Sequence, residues 1–163
     1  MTPPIKPFTR VDTADDTVRS TVEIAAPPEH VFAALTDPRE LAEWWGSAHT
    51  YRTRDWRVDA RPGGGWSVRT IDADGREASV HGEYRVVDPP RVLELTWRAS
   101  WDDFAPTIVR YELVPVTVRG VSGTRITVTH TGVGATACAT SGVVYGAEWL
   151  GTITCLATYA RAA

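Results

Sequence analysis

Lysine is almost absent from this sequence of 163 residues. Of the seventeen basic residues, sixteen are arginine and one is lysine, at Lys6. Schiff-base chemistry needs a desolvated lysine amine and is therefore nearly excluded. The arginines alternate with acidic residues, the formal net charge is -3, and no basic block occurs. Nucleic acid is therefore not expected as a partner, since binding a phosphate backbone requires clustered positive charge.

Cysteines and the common catalytic motifs are also scarce. Cys138 and Cys155 are the two cysteines, too few for a disulfide framework and without the spacing of a metal site. The sequence contains no H-E-x-x-H motif, no pair of cysteine couples and no G-x-S-x-G nucleophile elbow. Neither a metal site nor a serine hydrolase is predicted, and no cofactor is expected.

Long apolar runs are missing as well. None approaches the roughly 18 to 20 residues that cross a bilayer, and residues 1–16 lack the apolar centre of a signal peptide. We therefore predict a cytoplasmic protein without a membrane span. Residues 1–16 have the composition of a flexible polar tail, and residues 17–163 are long enough for a single domain with its own core.

The hydrophobic period indicates which elements follow one another. Residues 17–26 alternate as a half-buried strand, and residues 27–46 fit two short helices separated at Asp37-Pro38. From about residue 53 to 131 the period is two, with turn residues between six further strands. Residues 140–160 change to a helical period. These patterns predict an α+β fold with a seven-stranded antiparallel sheet and a long C-terminal helix.

The two strand faces differ sharply in chemistry. One parity carries arginine and glutamate, as a solvated face with cross-strand charge pairs would. The other parity is apolar and must be covered, and the C-terminal helix is the long element available to cover it. The predicted inward residues are Val22, Ile24, Trp66, Val68, Val80, Tyr84, Val86, Leu93, Leu95, Trp97, Val109, Tyr111, Leu113, Ile126, Val128 and His130. Trp56 joins the inward set, and Arg54 shares its parity if the strand begins that early.

A short glycine motif follows the last predicted strand. Residues 132–137 have the form G-x-G-x-x-A, which resembles a dinucleotide-binding turn. That turn belongs to a parallel β-α-β unit with an acidic residue about twenty positions later, and position 154 is a threonine. The glycines instead fit a chain that leaves the sheet and turns back across it.

Taken together, the stretches "VEIAAPPEHVFAALTDPRELAEWWG", "VDARPGGGWSV" and "GTRITVTHTGVG" resemble the START and birch-pollen-allergen superfamily, SRPBCC. Within it, the sequence is most similar to the bacterial homologues of the activator of heat-shock-protein-90 ATPase. The resemblance implies a helix-grip fold of order β-α-α-β6-α, in which a curved sheet surrounds the C-terminal helix. It also implies a small hydrophobic molecule in a cavity between them.

Candidate ligand-binding residues follow from this fold and from the strand and helix faces. The helical face centred on Ile153 includes Gly146, whose missing side chain leaves space, whereas Glu148, Cys155 and Tyr159 point elsewhere. The predicted cavity residues are Trp45, Trp56, Trp66, Tyr84, Trp97, Tyr111, His130, Gly146, Trp149 and Ile153. His130 is the candidate for an acid/base role, and a hydrogen bond to a loop carbonyl is its structural alternative.

Three functions are compatible with these residues. The first is a carrier or sensor that binds a small hydrophobic or aromatic ligand. The second is a cyclase-like, aromatase-like or hydratase-like enzyme that uses the same cavity, with His130 as acid or base. The third is a co-chaperone-like protein-interaction domain, implied by the family name. The sequence leaves open whether the chain forms a homodimer.

Overall fold

The structure, a computed structural model, describes residues 5–12, 16–47, 51–133 and 143–162. Its strands are β1 (Phe8–Asp12), β2 (Thr17–Ile24), β3 (Gly46–Ser47), β4 (Tyr51–Val58), β5 (Gly65–Asp72), β6 (Glu77–Asp88), β7 (Val92–Ala99), β8 (Thr107–Val118) and β9 (Val121–Thr131). Its helices are α1 (Pro28–Thr36), α2 (Pro38–Trp44) and α3 (Val143–Ala162), with a short 3-10 turn at Ser100–Asp102. Gly134 and Cys138 lie outside the described residues.

The strands form one antiparallel sheet in the order β1-β2-β9-β8-β7-β6-β5-β4-β3. Strands β4 to β9 form a meander, in which each strand pairs with the next one along the chain. Strand β2 pairs with β9. Helix α3 packs against β2 and contacts α1 and α2. The predicted α+β helix-grip fold is confirmed, with a curved sheet on one side of the C-terminal helix.

The two short helices begin and end where the sequence predicts. Pro28 and Pro38 occupy the first helical positions, where proline loses no hydrogen bond and has a suitable φ. Asp37 ends α1 and caps α2, because its side chain accepts the backbone N–H of Arg39 at 2.9 Å. This break turns the chain so that the C-terminal end of α2 places Trp44 and Trp45 at the edge of the sheet.

The structure has two more strands than the seven predicted. Residues Phe8–Asp12 were assigned to a flexible tail, but they form β1, which pairs with β2 along its whole length. The two-residue β3 pairs with β4 at the opposite edge. Both segments carry too few alternating apolar residues to be recognised alone. They form strands because each lies beside an edge of the sheet that is free to pair. That position depends on the tertiary structure and not on the local sequence.

Two β-bulges change the predicted side-chain parity. The pairing of β6 with β7 shifts between Tyr84 and Val86, so that Val87, and not Val86, packs against the core. In β4 the register shifts between Arg54 and Arg57, where Asp55 has a left-handed φ of 56°. Arg54 is therefore exposed rather than inward, while Trp56 packs against the core as predicted.

The outward face of the sheet carries the expected charge pairs. Arg110 contacts Glu94 at 3.2 Å, and Arg85 approaches the same carboxylate at 3.6 Å. Arg125 contacts Glu23 at 2.9 Å. Each pair joins neighbouring strands, so the arginine and glutamate pattern in the sequence marks the face opposite α3.

Helix α3 buries Trp149, Thr152, Ile153, Leu156 and Ala160. The polar Thr152 was not predicted on this face. Cys155 and Tyr159 were predicted to point elsewhere but are partly buried against the core. Among the described residues, no helix is both long and apolar enough to cross a membrane.

Candidate functional site

A cavity of about 370 Å³ opens between the sheet and α3. Its apolar wall consists of Trp45, Val68, Ala78, Val80, Trp97, Trp101 and Trp149. Its polar residues are Tyr51, Thr70, Asp72, Arg76, Glu77, Glu148 and Thr152. Many of the polar residues belong to the end of the β5–β6 hairpin, so the open side of the cavity lies there.

Tryptophan rings from four different parts of the chain meet at this cavity. The Trp45 ring lies 5.8 Å from that of Trp149, 6.3 Å from that of Trp97 and 5.3 Å from that of Trp56, between ring centroids. Trp97 and Trp149 are 5.3 Å apart. Trp101 lines the cavity and keeps 48% of its surface exposed. The predicted meeting of Trp45, Trp97 and Trp149 is therefore observed.

The indole N–H groups of this cluster are mostly used inside the protein. Trp45 Nε1 donates to Tyr51 Oη at 3.1 Å, and Trp149 Nε1 donates to His130 Nδ1 at 3.1 Å. Trp66 Nε1 donates to the Thr96 carbonyl at 3.1 Å. Trp97 differs, because its buried Nε1 has no hydrogen-bond partner among the residues that the structure describes. An unpaired buried donor is costly, so this group stands out within the site.

His130 lies in a linear series of hydrogen bonds behind the cavity wall. Its Nδ1 accepts from Trp149, which assigns the ring proton to Nε2. Nε2 then donates to Thr107 Oγ1 at 2.7 Å, and Thr107 Oγ1 donates to the Trp97 carbonyl at 3.0 Å. Each donor in this series has one acceptor, and the series joins α3, β9, β8 and β7.

These contacts correct the proposed role of His130. The residue is completely buried and does not line the cavity. Burial lowers the pKa of His130 to about 3, so the imidazole is neutral at physiological pH. Both ring nitrogens are already engaged, and neither reaches a ligand in the cavity. The geometry makes His130 a structural residue and not an acid/base catalyst or a ligand anchor.

Most other predicted site residues pack beside the cavity and do not line it. Trp66, Tyr84, Tyr111 and Ile153 are buried in the core, and Trp56 is partly buried against Trp45. Burial raises the pKa of both Tyr84 and Tyr111, so neither phenol ionises readily. Strand parity brings these side chains to the correct face, but it does not determine which of them border the empty space.

Gly146 lies in the first turn of α3, as the helical pattern predicts. The side chains of its neighbours at 143–147 lie outside the described residues. The suggestion that Gly146 leaves room for a ligand therefore stays a prediction.

Tyr51 and Thr152 are site residues that sequence reasoning missed. Tyr51 lines the cavity, accepts the Trp45 indole proton and hydrogen-bonds with Thr152. Burial raises the pKa of Tyr51, so the phenol is neutral and keeps its hydroxyl proton. The bulge at Asp55 reverses side-chain parity within β4, which is why Tyr51 faces inward together with Trp56. Nothing in the sequence pattern alone marks this bulge.

Glu148 was predicted to point away from the core and is exposed, and it also lines the cavity. It keeps part of its surface in solvent, and desolvation nevertheless raises the pKa of its carboxyl. Arg76 is the guanidinium that borders the same space, from the turn between β5 and β6. The prediction that Glu148 lies off the buried face of α3 agrees with its exposure, and the structure adds that this exposed carboxylate borders the cavity.

A second groove, of about 400 Å³, lies between α1 and the turn that follows β6. Its lining residues are Glu29, Phe32, Ala33, Thr36, Ala60, Val87, Pro89 and Pro90. It lacks the tryptophan wall of the first cavity. Among the described residues, no group of three histidine, cysteine, aspartate or glutamate side chains is arranged to hold a metal ion.

Solved structures of similar shape are numerous. Protein Ms6760 from Mycobacterium smegmatis is 25% identical, with a TM-score of 0.73, over 94% of this chain and 93% of that protein. A protein from Rhodobacter sphaeroides, 20% identical, has a TM-score of 0.79 and shows the fold over 97% of this chain and 100% of its own. DynU16, a protein in the dynemicin biosynthetic locus, is 26% identical, with a TM-score of 0.66, over 89% of this chain and 47% of DynU16.

A comparison with curated proteins found no match. The model of one protein family matches residues 25–159, which include both short helices, strands β4 to β9 and nearly all of α3. This match agrees with the shared fold and with the resemblance noted from the sequence. The chain belongs to the family of activator of Hsp90 ATPase homolog 1-like proteins.

Proposed function

We propose that this protein binds a small, mostly apolar and aromatic ligand in the cavity between the sheet and α3, as a carrier or sensor. The observation that carries the proposal is the aromatic wall, in which Trp45, Trp97, Trp101 and Trp149 border the same open space. A volume of about 370 Å³ is within the range of ligand pockets, roughly 300 to 1,000 Å³. Such a space holds a molecule of one or two rings.

The polar groups of the cavity support binding more than catalysis. Trp97 Nε1 is an unpaired donor, and Tyr51 and Thr152 offer hydroxyl groups near the open side. A few such groups among apolar walls orient a ligand in typical pockets. An enzyme on this cavity would have to rely on Glu148 or Tyr51, because the hydrogen bonds and low pKa of His130 remove it from the chemistry. Binding is therefore the function that the geometry supports best.

The test uses the tryptophans themselves as reporters. The protein is titrated with neutral one-ring and two-ring aromatic compounds while tryptophan fluorescence is recorded, and native mass spectrometry gives the stoichiometry. The Ala78→Phe variant places a ring in the cavity from β6. The matched control is Ala60→Phe, which places the same ring in the second groove.

Saturable quenching with one ligand per chain, lost in Ala78→Phe and kept in Ala60→Phe, is the expected result. Loss in Ala60→Phe alone would move the binding site to the second groove and overturn the proposal. A complete lack of saturable binding would also overturn it, and would favour the protein-interaction function implied by the family name. Circular dichroism of both variants checks that they fold.

A further inference from the structure

We propose that the ligand of this cavity carries a positively charged amine, held by the tryptophan faces and by the Glu148 carboxylate. This inference rests on the proposed ligand-binding function and names the chemical class of the ligand. Three features of the described residues support it: the charge left unpaired at the cavity, the orientation of the indole N–H groups, and the aromatic wall itself.

The first feature is that Glu148 differs from the other carboxylates that line the cavity. Glu77 is paired, with Arg69 at 2.9 Å and with Arg54. Asp72 accepts the backbone N–H groups of Asp74 and Arg76 at 2.9 and 2.8 Å and so closes the hairpin turn. Glu148 has neither an ion pair nor a side-chain hydrogen bond within the described part of the chain. It is the carboxylate that remains for a ligand.

The second feature concerns hydrogen-bond donors. An anionic ligand would need several donors directed at it, and of the three clustered indoles only Trp97 has an N–H without a partner among the described residues, because Trp45 and Trp149 donate theirs to Tyr51 and His130. These two indoles therefore contribute ring surface to the cavity and no free donor. Arg76 also borders the cavity, from the exposed hairpin turn, and it is the lining residue that would favour an anion instead.

The third feature is the electron-rich aromatic wall. Trp45, Trp97 and Trp149 lie within 5.3 to 6.3 Å of one another, measured between ring centroids. The faces of indole rings attract cations, and groups of aromatic rings recognise alkylated ammonium ions in this way. A nearby carboxylate adds attraction, and burial raises the pKa of Glu148, so a bound cation would also relieve the cost of keeping it charged.

The experiment compares two probes of nearly identical shape, phenyltrimethylammonium and tert-butylbenzene, which differ in charge. Phenylacetate serves as the anionic probe, and all three are titrated at one fixed ionic strength, with tryptophan fluorescence and calorimetry as readouts. We expect phenyltrimethylammonium to bind about tenfold or more tightly than tert-butylbenzene. The Glu148→Gln variant should lose most of that preference and still bind tert-butylbenzene. The matched control is Glu29→Gln, which removes the charged residue of the second groove.

The outcomes separate this inference from the proposed function. If neutral and charged probes bind equally, the amine is overturned while ligand binding stands. If Glu148→Gln keeps the whole preference, the proposed contact with the Glu148 carboxylate is overturned. Tighter binding of phenylacetate that is lost in Arg76→Gln would replace the amine with an anionic group. If none of the probes binds and the neutral aromatic compounds also fail, the proposed function and this inference are both wrong.

Discussion

Trp149 on α3 donates its indole proton to Nδ1 of His130 on β9, over 3.1 Å, and this bond attaches the C-terminal helix to the sheet. Both residues are buried, with exposed fractions of 3% and 0%. The same indole forms part of the cavity wall. The cavity wall and the attachment of the helix therefore share one side chain, so the position of the wall depends on an internal polar contact.

Removing that contact should destabilise the protein. In Trp149→Phe the Nδ1 of His130 is left buried and unpaired, which costs about 1 to 3 kcal/mol in addition to the lost indole volume. The free energy of unfolding from urea titration measures the effect. Trp101→Phe, at an exposed position, is the control and should change stability by less than about 0.5 kcal/mol. Equal stabilities of the two variants would contradict the helix-attachment role.

The buried histidine should also make stability depend on pH. Burial lowers the pKa of His130 to about 3 in the folded state, against a usual value of 6.5. Between these values the unfolded chain binds a proton that the folded protein does not. The stabilisation is therefore fully present above pH 6.5 and is lost as the pH falls toward 3, by up to about 1.4 kcal/mol per pH unit.

The measurement is the free energy of unfolding of wild type and His130→Gln between pH 7 and pH 4. The variant should be less stable at pH 7, and its stability should fall less steeply because it has no imidazole to protonate. His30→Gln, which removes an exposed histidine, should follow the wild-type curve. Parallel curves for wild type and His130→Gln would show that His130 does not cause the pH dependence.

Comparing Trp97 with Trp66 measures the effect of the indole N–H that has no hydrogen-bond partner. Both rings are buried and their centroids are 5.5 Å apart, but only Trp66 has a partner for its N–H, the Thr96 carbonyl. Changing each to phenylalanine removes a similar volume. We expect Trp66→Phe to cost about 1 kcal/mol more than Trp97→Phe, the value of one hydrogen bond. Thermal and urea unfolding of both variants would reveal the opposite order if Trp97 were satisfied in solution.

Two glycines should respond oppositely to alanine. A Cβ at Gly82 in β6 would lie 1.9 Å from the Thr96 carbonyl oxygen, so Gly82→Ala must displace the neighbouring strand. A Cβ at Gly151 in α3 would meet nothing within 4 Å. We expect Gly82→Ala to lower the free energy of unfolding by several kcal/mol, as overpacking does, and Gly151→Ala to raise it by up to about 1 kcal/mol. A stabilised Gly82→Ala would contradict the close approach of β6 and β7.

Most of the fold could be predicted because each element has its own period. Alternation located seven strands, and Asp37-Pro38 located the break between the helices. The predictions of side-chain direction are wrong where a β-bulge adds one residue to a strand. At Val86 and Asp55 a bulge reverses which side chains face the core, so Val87 replaced Val86, Arg54 became exposed and Tyr51 was missed. A bulge is fixed by the partner strand, which local sequence does not describe.

The candidate site was predictable to a smaller extent. Trp45, Trp97 and Trp149 were expected at the cavity and line it, since three different elements place them on the same side of the sheet. His130 was expected there, but both of its ring nitrogens form hydrogen bonds with Trp149 and Thr107 instead. Its partners come from α3 and β8, so the role of the imidazole depends on side chains distant in the chain.

The sequence by itself determined the order of elements, the charged and apolar faces of the sheet and the aromatic character of the interior, because these follow from residue type and spacing along one strand or helix. The tertiary structure decided which aromatic rings border empty space, which indole lacks a partner and where Glu148 lies. These properties depend on distances between elements, and a cavity is the volume that their side chains fail to fill.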